Sequence, residues 1–178
     1  TGLRYWPNLT DDGDGNAQPV VTEISFGSGA RRQSAELGGL LYIAGGQMYI
    51  YDGRMLFEAG FCEAPAILSA TPSNGAGSLP VSSTLLVAAT FEWRDSKGNF
   101  HTSRPSLVTT VTMGGSDDTL TVVVSGAHSM RKNLTSADTA GGVAVVVWRS
   151  VSGINQLRRA ASSRLVTFGT SVSFTLTE

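Results

Sequence analysis

The stretch Leu85-Leu86-Val87-Ala88-Ala89-Thr90-Phe91-Glu92-Trp93-Arg94, continued by Asp95-Ser96-Lys97-Gly98-Asn99 and then Ser103-Arg104-Pro105-Ser106, decides the fold class. Leu85, Val87, Ala89, Phe91 and Trp93 share one parity, and Thr90, Glu92 and Arg94 the other. Successive side chains of a strand point to opposite faces, so this alternation predicts a half-buried strand. Asp95 to Asn99 reads as a turn: Gly98 tolerates φ > 0, and the Asp95 side chain can bond forward onto the backbone. A second strand is expected to follow. Pro105, which has no N–H, stops ladder pairing near its end. The return side continues through Leu107, Thr109, Val111 and Met113. The pattern is a long antiparallel hairpin of an all-β protein.

Upstream, residues 1–35 read as irregular apart from a short strand, Val20 to Phe26. Leu40–Ala44, Met48–Tyr51 and Met55–Glu58 are apolar segments separated by Gly45-Gly46 and Asp52-Gly53. Asp-Gly between alternating strands predicts a two-residue type I′ turn, in which both positions need φ > 0. Residues 37–61 therefore read as a three-stranded meander. Ala64-Pro65 opens a second unit, with a strand over Ala66–Thr71 and a loop over Pro72–Gly77. The expected division is 1–63, an irregular segment plus meander, and 64–178, a β-sandwich.

Downstream of the hairpin, Gly114–Asp118 forms a turn, and Leu120, Val122 and Val124 alternate. Residues 125–142 are polar, with room for one helical turn near Ser129–Asp138. Val143 to Arg149 is almost continuously apolar, the mark of a strand covered on both faces. Gln156–Thr167 holds one or two short strands, and Val172, Phe174 and Leu176 alternate in a last one. Phe91, Trp93, Val145, Val147 and Phe174 are expected in one core.

Of the 178 residues, 41% are apolar, enough for a core. Only 15% are charged, against about 25% in typical domains. Thirteen basic and 14 acidic side chains leave a net charge of −1. This composition fits a subunit whose faces are covered by neighbours, and equally a Ser/Thr-rich β surface. Without a basic surplus, no sequence-specific nucleic-acid partner is expected. No apolar run is long enough to span a membrane as a helix. The opening Thr1-Gly2-Leu3-Arg4-Tyr5-Trp6 lacks the pattern of a signal peptide, and a first residue other than Met suggests a processed product or a piece of a longer chain. Cys62 is the single cysteine, which excludes an internal disulfide.

Three constellations bear on chemistry. Asp12, Asp14 and Asn16 have the one-three-five spacing of a calcium loop, with Glu23 at position twelve, and oxygen ligands so spaced can wrap a hard cation. Position six is Ala17 where the loop needs Gly, and position eight is Pro19, so a solvated turn is preferred. His101 and His128 have no metal or catalytic partner at motif spacing. The chain has no nucleophile elbow, P-loop, dinucleotide fingerprint or His-Glu-x-x-His. No enzyme activity and no cofactor are expected. Trp6, Tyr42, Tyr49, Tyr51 and Trp93 could form a sugar-stacking platform. Trp93 falls on the core parity of its strand, however, and Tyr49 and Tyr51 share a face opposite Met48 and Ile50. Arg31-Arg32 and Arg158-Arg159 read as solvated charge.

Residues 83–106 resemble a hairpin of fibronectin type III-like domains, in which an alternating strand ends in an Asp-x-x-Gly-Asn turn and a Ser-x-Pro-Ser step. "VAVVVWRSVSGINQLRRA" resembles the strand of those domains that runs into Arg-Ser and a Gly turn, and "VSFTLTE" the strand after it. The hairpin comes first here, as in an incomplete or permuted domain. "LLYIAGGQMYIYDGRMLFEAGF" looks like a propeller or meander segment. Together these lines resemble structural proteins of bacteriophage tails, of the nozzle, hub or adaptor type.

The resemblance implies an all-β chain: an antiparallel, propeller-like meander followed by an immunoglobulin or fibronectin III-like β-sandwich. It also implies a virion location, with homo-oligomers and other tail proteins as partners. The alternative is a secreted carbohydrate-binding or adhesion module. A weaker third option is a sandwich appended to a tail-associated glycan hydrolase, which would need two carboxylates facing one cleft.

Overall fold

The structure is a computed structural model that describes residues 33–45, 48–53, 56–95, 98–127, 132, 142–151, 155–165 and 169–178. The strand expected at Val20–Phe26 lies outside these residues, as does the helical turn near 129–138 except at Lys132. The described residues contain twelve strands and no helix. Every paired ladder is antiparallel. The chain divides into two compact units, Thr1–Ala59 and Gly60–Glu178.

In the first unit, β1 (Gln33–Leu37), β2 (Leu40–Ala44), β3 (Tyr49–Tyr51) and β4 (Leu56–Glu58) pair in sequence order. The meander thus has four strands, not three, and β1 begins inside the segment expected to be irregular. The two-residue turn sits at Gly38-Gly39, where Leu37 pairs with Leu40 and both glycines have positive φ, 59° and 72°. Two glycines adopt this conformation without the Cβ penalty an Asp would meet.

At Asp52-Gly53 the expected tight turn is absent: Tyr51 pairs with Leu56, leaving four residues between the strands. Of Asp52 and Gly53, only Gly53 takes a positive φ, 98°. A shift of two residues keeps every side chain on its face, so alternation alone cannot distinguish the registers. The register adopted sets Ile50 opposite Phe57, and both are buried.

In the second unit, β6 (Thr84–Arg94) and β10 (Ala144–Ser150) are central. β11 (Leu157–Arg164) pairs β10, while β7 (Phe100–Thr102) and β8 (Thr109–Thr112) both pair β6. A second sheet has the order β12 (Val172–Leu176), β9 (Thr119–Val124), β5 (Ile67–Ser73). β5 runs close to β8, and β11 close to β12. No described sheet closes into a barrel or propeller, which corrects the propeller-like reading of the meander.

The core follows the predicted parity. Leu85, Val87, Ala89, Phe91 and Trp93 are buried along β6, as are Val145 and Val147 on β10 and Phe174 on β12. Burying a side chain of this size contributes about 1.5–3 kcal/mol. β10 lies between two strands and also buries Val146, as its continuous apolar run predicted. At Gly126 a Cβ would overlap the Thr170 carbonyl oxygen, so only glycine lets the chain pass there.

The return side of the long hairpin is interrupted. β7 ends at Thr102, and pairing resumes at Thr109. Pro105 therefore breaks the ladder in the middle of the return, not near its end. Leu107, expected on the face of Val111 and Met113, is 91% exposed, while those two are buried.

Candidate interaction surface

The break in the hairpin shows how its surface is made. Over 103–108 the backbone does not continue the ladder, yet two serines hold it on β6. Ser103 N donates to the Phe91 carbonyl (2.9 Å), and Phe91 N donates to Ser103 Oγ (2.9 Å). Ser106 repeats the clamp three residues on: its N donates to the Ala89 carbonyl (2.8 Å), and Ala89 N donates to its Oγ (2.9 Å). Each hydroxyl then donates onward, to the carbonyls of Arg104 and Leu107 respectively. Ser103 and Ser106 are buried, and the clamps satisfy β6 amides that a missing strand would leave orphaned.

Between and beyond these clamps, Arg104, Leu107 and Val108 face solvent. The segment is thus fixed at two points and presents apolar side chains outward. A shallow groove of about 480 Å³ lies beside it, walled by Ala64–Ile67, Arg104–Leu107 and Thr109. Leu68, displaced from the β5 ladder at an irregularity between Ile67 and Ser69, is 60% exposed.

The hairpin tip is built on Asp95, which is completely buried. Its Oδ1 accepts from Asn99 N (2.8 Å), and its Oδ2 from Asn99 Nδ2 (2.9 Å). His101 Nε2 lies 3.1 Å from the same Oδ2 and donates when Asp95 is ionised. Gly98 N donates to the Asp95 carbonyl, and Gly98 has φ 87°. Asp95 does bond forward onto the backbone, as the sequence predicted. The His101 ring packs against Trp93 at 5.3 Å between centroids. Lys132 donates to the Gly60 carbonyl and sets its ammonium 4.7 Å from the Phe61 ring. Arg94 stacks over the exposed Phe100 at 4.6 Å. The chemistry available here is that of a turn clamp, whose carboxylate meets Asn99 N, Asn99 Nδ2 and His101 Nε2.

Aromatic side chains divide between core and surface. Trp93 is buried in the position its parity predicted. Tyr42, Tyr49 and Tyr51 are half-buried. Tyr49 and Tyr51 share one face of their sheet, and Ile50 points to the other. The sequence reading missed Trp148, half-buried on the face of β10 away from Val145 and Val147. Its Nε1 donates to Thr90 Oγ1 (2.9 Å). Nearby, Arg159 pairs with Glu92 (2.8 Å), so the Arg158-Arg159 pair is not simply solvated charge. One position later on β10, Arg149 has a buried Nε with no hydrogen-bond partner among the described residues. Burial holds its guanidinium below the ordinary pKa.

Asp12, Asp14, Asn16 and Glu23 lie outside the described residues, as do Trp6, Arg31, Arg32 and His128. Among the described residues, no three His, Cys, Asp or Glu side chains converge as metal ligands. None of the described residues forms a helix long and apolar enough to cross a membrane.

In the first unit, β1 is exposed along its whole length and, among the described residues, pairs only with β2. Gln33, Ser34, Ala35, Tyr42, Ala44 and Met48 line an open depression of about 470 Å³. Alanines at two of these positions leave room above the sheet. No protein-family model matches the chain, and no curated protein or solved structure is significantly similar to it.

Proposed function

We propose that this chain is a non-catalytic structural module of a bacteriophage tail, of the nozzle, hub or adaptor type. It acts by assembling with copies of itself and with other tail proteins in the virion. The second unit is read as a permuted fibronectin III-like sandwich: its two sheets approach along β5–β8 and β11–β12, and its hairpin carries the Asp-x-x-Gly-Asn turn and Ser-x-Pro-Ser step of such domains.

The observation that carries the reading is the placement of exposed apolar side chains on strand edges left unpaired among the described residues, and on pinned segments: Leu37 on β1, Leu68 on β5, Leu107 and Val108 after Pro105. Edges and apolar patches of this kind are covered by a partner or become aggregation sites. Low charge points the same way. Immunogold imaging of intact phage particles tests the reading. Label on the tail is the expected result; label on a bacterial surface with none on particles would overturn it.

Tyr49 and Tyr51 favour a second reading. Two half-exposed rings on one sheet face could stack a sugar, as in a carbohydrate-binding or adhesion module. Micromolar binding of a defined glycan, lost in Tyr49→Ala and Tyr51→Ala, would promote that reading over assembly.

A further inference from the structure

The two units carry opposite net charge. Residues 1–59 hold four basic and seven acidic side chains, and residues 60–178 hold nine and seven. The first unit is therefore −3 and the second +2, although the whole chain is close to neutral. Opposite net charges draw the unlike units of two copies together and hold like units apart.

Each unit also has one shape that the other could complete. On the second, Leu107 projects almost free of its own chain beside Val108 and Arg104. Its backbone is already held by the Ser103 and Ser106 clamps, so docking it costs little further ordering entropy. On the first, the depression floored by Tyr42 and bordered by Ala35, Ala44 and Met48 stands open. Met48 is 46% exposed at its rim, and an unbranched thioether can adjust to what enters.

We propose that the Leu107 knob of one copy seats in the Ala35–Tyr42–Ala44 depression of another copy of this chain, in a heterologous contact steered by the opposite charges of the two units. The inference rests on the assembly reading and specifies its interface. A contact between unlike surfaces leaves each copy with one unused knob and one unused depression. It therefore propagates, and closes into a ring where the rotation permits. Arg104, exposed close to Leu107, carries part of the positive charge of the second unit at the knob.

The test uses the full chain with two substitutions at exposed positions, Leu107→Lys and Ala35→Lys. Lysine removes the apolar knob in the first and fills the depression in the second, and in a mixture the substituted knob of one variant meets the substituted depression of the other, cation against cation. Circular dichroism and melting should match the parent chain, since neither residue belongs to the core. Sedimentation velocity should show concentration-dependent oligomers for the parent. Each variant alone should associate about tenfold more weakly or worse. A 1:1 mixture should form dimers and stop there, because the intact knob of one variant fits the intact depression of the other. Raising the salt from low to high should weaken association of the parent.

Association as strong as the parent's in either variant would overturn this interface while leaving the assembly reading in place. So would a mixture no more associated than its components, or association that salt does not weaken. A parent chain that stays monomeric at every concentration would overturn the assembly reading itself.

Discussion

The two units use the same local code and reach different ends. Both are antiparallel, and both set apolar side chains at alternate positions of their strands. In the second unit the alternation of β6, β9, β10 and β12 becomes a continuous buried core, with Leu85, Phe91, Leu120, Val122 and Val145 fully covered. In the first, Ile50 and Phe57 are the buried apolar side chains of the described strands, and β1 is exposed throughout. Alternation makes a strand; a facing layer makes a core. A sheet that has the first without enough of the second has surface left over for a partner.

Substitutions that separate the two units should sharpen this contrast, and denaturant unfolding would read them. The largest loss is expected at Phe91→Ala, about 3–5 kcal/mol, because the cavity opens in a fully buried core. A loss under 1 kcal/mol there would break the comparison. Asp95→Ala should cost about 1.5–3 kcal/mol, since Asn99 and His101 lose a shared acceptor. Asp95→Asn should recover part of it.

In the first unit, Gly53→Val should cost about 1–3 kcal/mol through backbone strain at φ 98°. Nothing lies within 4 Å of a Cβ placed there. Gly53→Ala should therefore be impaired as well; an unchanged midpoint in both would contradict the loop geometry. Ile50→Val should cost only about 0.5–1.5 kcal/mol. Leu37→Ser should leave stability within about 0.5 kcal/mol, and a larger loss would mean that β1 is covered in solution.

Much of this was legible in the chain. β6 with its buried face, the central place of β10 and the role of Asp95 follow from parity, apolar continuity and turn chemistry, because burial enforces the period of two. Three features were not legible. A two-residue slip at Asp52-Gly53 changes no side chain's face, so the pattern is silent about it. Gly38-Gly39 carries little sequence signal beyond its glycines, yet it holds the tight turn. Parity read through Pro105 puts Leu107 on the face of Val111 and Met113; the structure turns it outward because the serine clamps replace strand pairing. Trp148 was hidden for a related reason: in a run as apolar as Val143–Trp148, pattern alone does not separate the inner face from the outer.

The central claim is that this chain works by associating with other protein, beginning with itself. Sedimentation velocity over a wide concentration range, run beside a glycan array on the same preparation, tests it most directly. The account predicts an average mass that rises with concentration above that of the monomer, and no glycan bound at micromolar affinity. A chain that remains monomeric at every concentration and binds a defined glycan at micromolar affinity would contradict it.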